Sequence, residues 1–190
     1  MKLSAPVRAA VLLLLFACPA VRADWPMFRH DLRRSGHTDE RLDAASLGQA
    51  WVWQSSVPPA TAWDGPALAD AYHGVAPLAD PRDYDRGFAV TAAAGRVYFG
   101  SSVDDSVRCL DAASGKVLWT FTTDGPVRLP PALDGGRAYF GSDDGHAYCV
   151  DAATGRLAWK CKPSPEARRI LNNGRYIAPW PVRTAVLVSH

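Results

Sequence analysis

The chain contains very little glutamate. Of its 19 acidic residues only Glu40 and Glu166 are glutamate. The others are aspartate, which favours turns and helix ends over helix interiors. With 15 glycines and 15 prolines in 190 residues, the sequence excludes a mainly helical fold and favours short strands joined by turns.

The chain also lacks the short motifs of several enzyme classes. It has no GxSxG, P-loop, GxGxxG or HExxH sequence, no Cys-Cys pair and no C-x-x-C-H haem-attachment motif. Its 21 basic and 19 acidic residues give a net charge of +2, so the basic surplus of a nucleic-acid-binding domain is missing. We expect a binding or scaffold protein, or an enzyme whose catalytic residues lie elsewhere.

Only one run is long and apolar, and it lies near the N-terminus. AAVLLLLFA (9–17) follows Lys2 and Arg8, which is the pattern of a secretory signal peptide too short to span a membrane. We predict a signal peptide over residues 1–23, with cleavage after Ala23 and no membrane span afterwards. The alternative is a lipoprotein signal with its anchor at Cys18. Either reading predicts a secreted or periplasmic protein.

What the chain does have is an internal repeat. GRVYFG (95–100) returns as GRAYFG (136–141), and LDAASGKVLW (110–119) returns as VDAATGRLAW (150–159). The β-branched and aromatic runs predict strands, and the Gly-containing stretches between them predict turns. Each unit therefore reads as four antiparallel strands, with full repeats at about 88–125 and 129–162.

A four-stranded unit of this size cannot bury both of its faces alone. Side-by-side stacking of such units gives a β-propeller, so the predicted fold class is all-β, a partial propeller of four-stranded antiparallel blades. Trp119 and Trp159 hold one fixed place per unit, and we expect each ring to pack against the adjacent blade. An aromatic base-stacking platform is the rival reading, but no basic stripe accompanies it.

The spacing D-x-x-[ST]-G-x-x-x-W resembles the tryptophan-docking motif of the PQQ repeat, found in quinoprotein dehydrogenases and BamB-like scaffold proteins. The aspartate is expected to accept backbone N–H bonds within a turn, and the glycine to take a left-handed conformation. Cysteines 109 and 149 stand where alanine is frequent in those families. The motif residues are Asp111, Ser114, Gly115 and Trp119, then Asp151, Thr154, Gly155 and Trp159.

The resemblance covers residues 88–162 strongly and 24–54 weakly, and it implies a scaffold more clearly than a chemistry. LDAASLGQAWVWQ (42–54) is a faint third copy, and Pro-Val-Arg recurs at 126–128 and 181–183. Because propellers need about four to eight blades, we expect a fragment of a longer protein or a chain that needs a partner. WD40 repeats are the neighbouring alternative, but no Gly-His or Trp-Asp pair stands at the places that a WD40 repeat requires.

The function that follows is a secreted or periplasmic binding or assembly scaffold. The alternative is a PQQ-dependent dehydrogenase whose catalytic residues lie beyond residue 190. A hydrolase or lectin on a propeller is a third reading. PQQ with calcium is implied only by the resemblance, no catalytic, cofactor or metal residue can be assigned, and the partner is an unidentified protein or small molecule.

Two insertions interrupt the repeat, at about 54–87 and 163–180, and long loops on a rigid scaffold often carry binding sites. The simpler interpretation is that both insertions are solvent-exposed loops without a binding role. The first holds Trp63, Asp64, Tyr72, His73, Asp83, Tyr84, Asp85 and Arg86; the second holds Glu166, Arg168, Arg169, Asn172, Asn173 and Arg175.

Histidines and cysteines give only weak signals. His30 and His37 are seven residues apart, which we interpret as surface positions. Three cysteines follow the predicted cleavage site. With Asp151 opposite Arg156, Cys161 is expected opposite His146, on the other face from Cys149, so no disulfide is predicted in that hairpin.

Overall fold

The structure is a computed structural model that describes residues 24–56, 89–172 and 175–189. The predicted signal peptide and most of the first insertion lie outside the described residues. Apart from one 3-10 turn, Ala44–Ser46, the named elements are all β-strands. No helix of the described ranges is long and apolar enough to cross a membrane.

The first repeat forms a four-stranded antiparallel sheet, here called sheet 1. Each strand pairs with the next along the chain, because short turns separate β-branched and aromatic segments. The strands are β1 (Thr91–Ala93), β2 (Arg96–Ser101), β3 (Ser106–Asp111) and β4 (Val117–Thr122).

The second repeat forms a sheet of the same order, here called sheet 2. This repetition confirms the prediction of four antiparallel strands per unit. The strands are β5 (Ala132–Asp134), β6 (Arg137–Gly141), β7 (Ala147–Asp151) and β8 (Leu157–Cys161).

The turns between the second and third strands differ in length but use the same backbone conformation. In sheet 2, Gly145 has a φ of +88° within the predicted Asp144-Gly145 turn. In the turn of sheet 1, which contains no glycine, Asp105 has a φ of +54°. Aspartate is among the few non-glycine residues that tolerate this left-handed region, so the glycine-free copy can still close its hairpin.

Both sheets carry a β-bulge at the same repeat position, and the sequence did not predict it. The register shifts between Cys109 and Leu110 in sheet 1 and between Cys149 and Val150 in sheet 2. An extra residue in the bulge moves all later pairs by one. Cys161 consequently pairs with Ala147 rather than His146.

The predicted placement of Cys161 on the other face from Cys149 was also wrong. Cys149 pairs with Trp159, and Cys161 follows Trp159 by two residues in the same strand. Directly opposed residues and residues two apart share a face, so the two cysteines lie on the same side of sheet 2. Both are free thiols, as is Cys109.

The core lies within and between the two sheets. Phe121 of sheet 1 packs edge-on against Phe140 and Tyr148 of sheet 2, at ring-centroid distances of 5.8 and 5.6 Å. Phe140 and Tyr148 themselves stack at 5.4 Å. Aromatic pairs of this geometry add to the burial of apolar area, so the sheets share one core.

The first strands of the two sheets lie side by side, and the N-terminal lead-in joins them. Trp25 pairs with Ala92 of β1 through two backbone hydrogen bonds of 2.7 and 2.9 Å. Leu133 of β5 donates its backbone N–H to the carbonyl of Pro26 at 2.7 Å. The lead-in therefore fixes sheet 1 relative to sheet 2.

The second insertion contains a separate two-stranded antiparallel hairpin of β9 (Ile170–Asn172) and β10 (Arg175–Ile177). In the described ranges it pairs with neither four-stranded sheet.

Candidate functional site: the tryptophan-docking turns

The turn between β3 and β4 is closed by its own aspartate. Asp111 accepts hydrogen bonds from the backbone N–H of Ser114 at 2.8 Å and from the Ser114 hydroxyl at 2.7 Å. Gly115 donates its N–H to the Asp111 carbonyl at 2.9 Å and has a φ of +70°. The Asp111 carboxylate thus accepts hydrogen bonds from turn groups that have no partner in a neighbouring strand.

The turn between β7 and β8 repeats this arrangement. Asp151 accepts from the backbone N–H and the hydroxyl of Thr154 at 2.9 and 2.8 Å, and Gly155 again has a φ of +70°. The Thr154 hydroxyl, followed by its backbone N–H, lowers the pKa of the Asp151 carboxyl. The ionised form of the aspartate therefore closes the turn.

Trp119 of sheet 1 lies on this second turn. Its Nε1–H donates to the carbonyl of Ala152 at 3.0 Å, and the Tyr98 hydroxyl donates to the same oxygen at 3.1 Å. A Cβ added at Gly155 would come within 2.7 Å of the Trp119 ring. Only glycine at this position lets the indole lie flat against the turn, and the Trp119 side chain is 9% exposed.

Trp51, from the faint third copy, docks on the first turn in the same way. Its Nε1–H donates to the Ala112 carbonyl at 3.0 Å, and a Cβ on Gly115 would come within 2.6 Å of its ring. The same contact therefore occurs twice, each time between an indole and the D-x-x-[ST]-G turn that follows it in the chain.

Trp159 does not follow this pattern within the described residues. Its side chain is 46% exposed, and it packs beside Tyr139 at a ring-centroid distance of 6.1 Å. All five residues of β8 are exposed. The next turn in the series would have to cover Trp159, and the described part of the chain supplies turns only for Trp51 and Trp119.

The comparisons with known proteins agree with this repeat geometry. The PQQ_2 family model, described as outer membrane protein assembly factor BamB, matches residues 38–182. The chain belongs to the PQQ_2 family. No curated protein matches it. Membership confirms the predicted PQQ-repeat resemblance and the predicted fold class, so sheets 1 and 2 are blades of a partial β-propeller.

Solved structures similar to the chain include BamB from Moraxella catarrhalis, at 25% identity over 38% of this chain and 22% of that chain, with a TM-score of 0.35. Another is quinohemoprotein alcohol dehydrogenase from Comamonas testosteroni, at 22% identity over 73% of this chain and 19% of that chain, with a TM-score of 0.48. A third is quinohemoprotein alcohol dehydrogenase ADHIIG from Pseudomonas putida HK5, at 22% identity over 46% of this chain and 15% of that chain, with a TM-score of 0.38. The chain thus spans less than a quarter of each.

The two repeated Pro-Val-Arg stretches of this PQQ_2 chain converge on one buried carboxylate. Arg128 and Arg183 both bond Asp143, with Nη2 of Arg128 at 2.7 Å and Nε of Arg183 at 2.9 Å. The Asp143 side chain is completely buried. The sequence shows the repeated arginines but did not point to their shared partner. Asp143 has no counterpart in the first unit, where Ser102 stands at the matching position.

A second carboxylate in the same turn is also buried. Asp144 accepts from the hydroxyl of Tyr148, from the backbone N–H of His146 at 2.9 Å and from the backbone N–H of Asp124 at 3.3 Å. Burial, then the bond to Asp144, raises the pKa of the Tyr148 hydroxyl. The turn between β6 and β7 is therefore tied to the chain segment that enters sheet 2.

The two core cysteines are unsuited to nucleophilic chemistry. Cys109 and Cys149 are buried, and burial raises the pKa of both thiols. A raised pKa lowers the thiolate fraction on which cysteine reactivity depends. Their place beside the bulge indicates packing.

Within the described residues, no three His, Cys, Asp or Glu side chains come together in a group that could hold a metal ion. His30 packs against Trp25 at a ring distance of 4.8 Å, and His37 is exposed beside Asp39. In the second insertion, Arg168 pairs with Glu166 at 3.3 Å.

Replacing Gly155 with alanine is expected to destabilise the protein by about 1–3 kcal/mol more than replacing Gly136. Both glycines have φ near +70°, so both substitutions carry a left-handed strain of about 1–2 kcal/mol. Only at Gly155 would the new Cβ strike an indole, since Gly136 has open space there. Urea denaturation of both variants measures the difference, and equal losses would show that the ring does not rest on Gly155.

Acid is expected to destabilise the turn between β2 and β3 as the pH falls from about 4 to about 2. Burial opposes ionisation of Asp104, but bonds from Arg108, Ser101 and Ser106 outweigh it and lower its pKa to about 2. Because this pKa lies below the ordinary 3.8, the stabilisation is present above pH 4 and is lost on protonation. Unfolding free energy measured against pH should flatten in this window for Arg108→Gln, and an unchanged slope would contradict the assignment.

Proposed function

We propose that the chain is part of a noncatalytic β-propeller that acts as a binding or assembly scaffold in the periplasm or outside the cell. The observation that carries the proposal is the repeated docking geometry. The motif residues of both turns are engaged in holding neighbouring units together, through Trp51 on the first turn and Trp119 on the second. Because these motif residues bind the indoles of neighbouring units, they support a role in assembling the propeller rather than in catalysis.

The exposed face of sheet 2 supports the same reading. Trp159 of β8 is 46% exposed, whereas Trp119, at the same repeat position in sheet 1, is 9% exposed beneath the docking turn of the next unit. A large, exposed indole at a repeat position marks a surface on which a further unit packs. We infer that the propeller continues from β8, through a later part of the protein or a partner.

The proposed location rests on the sequence. A basic start and the apolar run at residues 9–17 favour export through a signal peptide. An exported scaffold needs no nucleotide or nucleic-acid site, and the motifs for such sites are absent from the sequence.

The test is a dye-reduction assay on the purified full-length protein. With PQQ and calcium added, and an alcohol or a sugar as substrate, the scaffold proposal expects no reduction above the protein-free control. A sustained, protein-dependent reduction of the dye would overturn it.

A PQQ-dependent dehydrogenase with catalytic residues beyond residue 190 is the second candidate. It is favoured by the docking motif itself, which resembles the motif of quinoprotein dehydrogenases as much as that of BamB-like scaffolds. The complete reading frame separates the two candidates. A Cys-Cys pair, a calcium-ligand set or a haem-attachment motif downstream would favour the enzyme, and their absence from a full ring would favour the scaffold.

A further inference from the structure

The two sides of the β9–β10 hairpin differ in exposure. Leu171 is directly opposite Tyr176, and Ile170 is opposite Ile177. Leu171 and Tyr176 are 65% and 66% exposed, whereas Ile170 is 38% and Ile177 4% exposed. The hairpin therefore packs on the body of the protein through Ile177 and presents an apolar cross-strand pair to solvent.

The root of the hairpin is held against the turn between β6 and β7. Ala178 is buried and donates its backbone N–H to the Asp143 carbonyl at 2.9 Å. On the other strand, Arg169 forms an ion pair with Asp124 at 3.5 Å. The first contact anchors β10 at the root of the hairpin, and the second is an exposed ion pair beside the start of β9.

Both outer edges of the hairpin are open in the part of the chain that the structure describes, where β9 and β10 pair only with each other. In an antiparallel pair, opposed residues alternate between those that bond each other and those whose backbone groups point away. Three opposed pairs thus leave outward-pointing N–H and C=O groups on each strand. Such an edge is a template for another strand.

The segment around the hairpin is basic. Residues 160–175 contain five basic residues, which are Lys160, Lys162, Arg168, Arg169 and Arg175, and one acidic residue, Glu166. Counting the paired Asp124 as well leaves an excess of three positive charges, although the whole chain carries only +2. The sequence that leads into and includes the hairpin is therefore more basic than the chain as a whole.

We propose that the β9–β10 hairpin binds an extended, acidic segment of a partner protein as an added strand. Main-chain bonds to an open edge hold the segment, Leu171 and Tyr176 contact its apolar side chains, and the basic residues attract its carboxylates. This inference rests on the proposed scaffold function and names the class of partner. An anionic membrane would satisfy the charges and the apolar pair, but it offers no strand to the open edges.

The probe is a fluorescein-labelled peptide of alternating glutamate and valine, titrated into the full-length protein and followed by fluorescence anisotropy. We expect saturable binding that weakens at least about 10-fold for Leu171→Asp and for Tyr176→Asp. Leu42→Asp is the matched control, because Leu42 is 66% exposed and lies outside the hairpin. It should bind the peptide like the unaltered protein.

Two further peptides and one vesicle preparation test the mode of binding without altering the protein. A peptide with alternate amides N-methylated cannot complete the added strand and should lose binding, and a lysine-for-glutamate peptide should bind at least about 10-fold more weakly. Equal binding of either peptide overturns the inference, as does binding to phosphatidylglycerol vesicles without saturable binding of the glutamate peptide. A failure here leaves the scaffold proposal standing, whereas dye reduction would overturn the scaffold proposal on which this inference rests, so the two failures are distinguishable.

Discussion

Replacing Trp119 with alanine is expected to lower the free energy of unfolding by about 3–5 kcal/mol. The indole is 9% exposed, fills the space over Gly155 and donates its N–H to the Ala152 carbonyl. Its loss leaves a cavity between the two blades and removes a hydrogen bond to a shared acceptor. Equilibrium urea denaturation of the purified protein measures the change.

Trp159→Ala is the matched control, because Trp159 holds the same repeat position but is 46% exposed. It should cost less than half as much as Trp119→Ala. Trp119→Phe keeps most of the apolar area and should cost about 1 kcal/mol from the lost N–H bond. If Trp119→Ala and Trp159→Ala lower the free energy of unfolding equally, the contact of Trp119 with the next blade does not stabilise the protein.

Replacing Asp143 with asparagine is expected to cost about 3 kcal/mol, because it leaves two guanidinium groups facing an uncharged partner. The carboxylate is fully buried, and the side chains of Arg128 and Arg183 are 14% and 35% exposed. Urea denaturation again gives the change in stability. Hydrogen exchange should also accelerate at the backbone N–H of Val182, which bonds the Ser142 carbonyl beside this site.

The control for this ion cluster is Glu166→Gln. Glu166 pairs with Arg168, and the two side chains are 49% and 66% exposed. Exposed pairs contribute about 0–1 kcal/mol, so the variant should stay close to the unaltered protein. If Asp143→Asn costs no more than Glu166→Gln, the buried cluster does not link the segments that enter and leave sheet 2.

Much of the fold follows from local sequence, because each repeat contains the residues that form its own turns. An aspartate three residues before Ser114 or Thr154 and a glycine directly after it can close a turn by themselves. Strand partners then follow from chain order. For this reason the two sheets, and the left-handed glycines at 115 and 155, could be predicted without tertiary information.

The bulge could not be predicted in this way. The extra residue, Ala158 of β8, lies opposite the step from Cys149 to Val150 without glycine, proline or any other local signal, and so the pairing of Cys161 was predicted one residue away from its place. Register across a bulge is set by packing on both faces of the sheet. Strand propensity alone does not contain that information.

The shared site of Arg128 and Arg183 was missed for a related reason. A repeated arginine in a connecting segment reads as solvated surface unless its partner is known. Here the partner, Asp143, lies 15 residues from one arginine and 40 from the other. The signal that could have pointed to it is the recurrence of the whole Pro-Val-Arg stretch, since surface arginines need no such context.

The central claim is that the Trp119 indole rests on the turn of the next blade, and a double-mutant cycle tests it directly. Unfolding free energies are measured for Trp119→Ala, Gly155→Ala and the double variant. If the ring is what the new methyl group strikes, Gly155→Ala should cost about 1–3 kcal/mol less when Trp119 is absent, falling to the cost of Gly136→Ala. Costs that simply add in the double variant would contradict the claim.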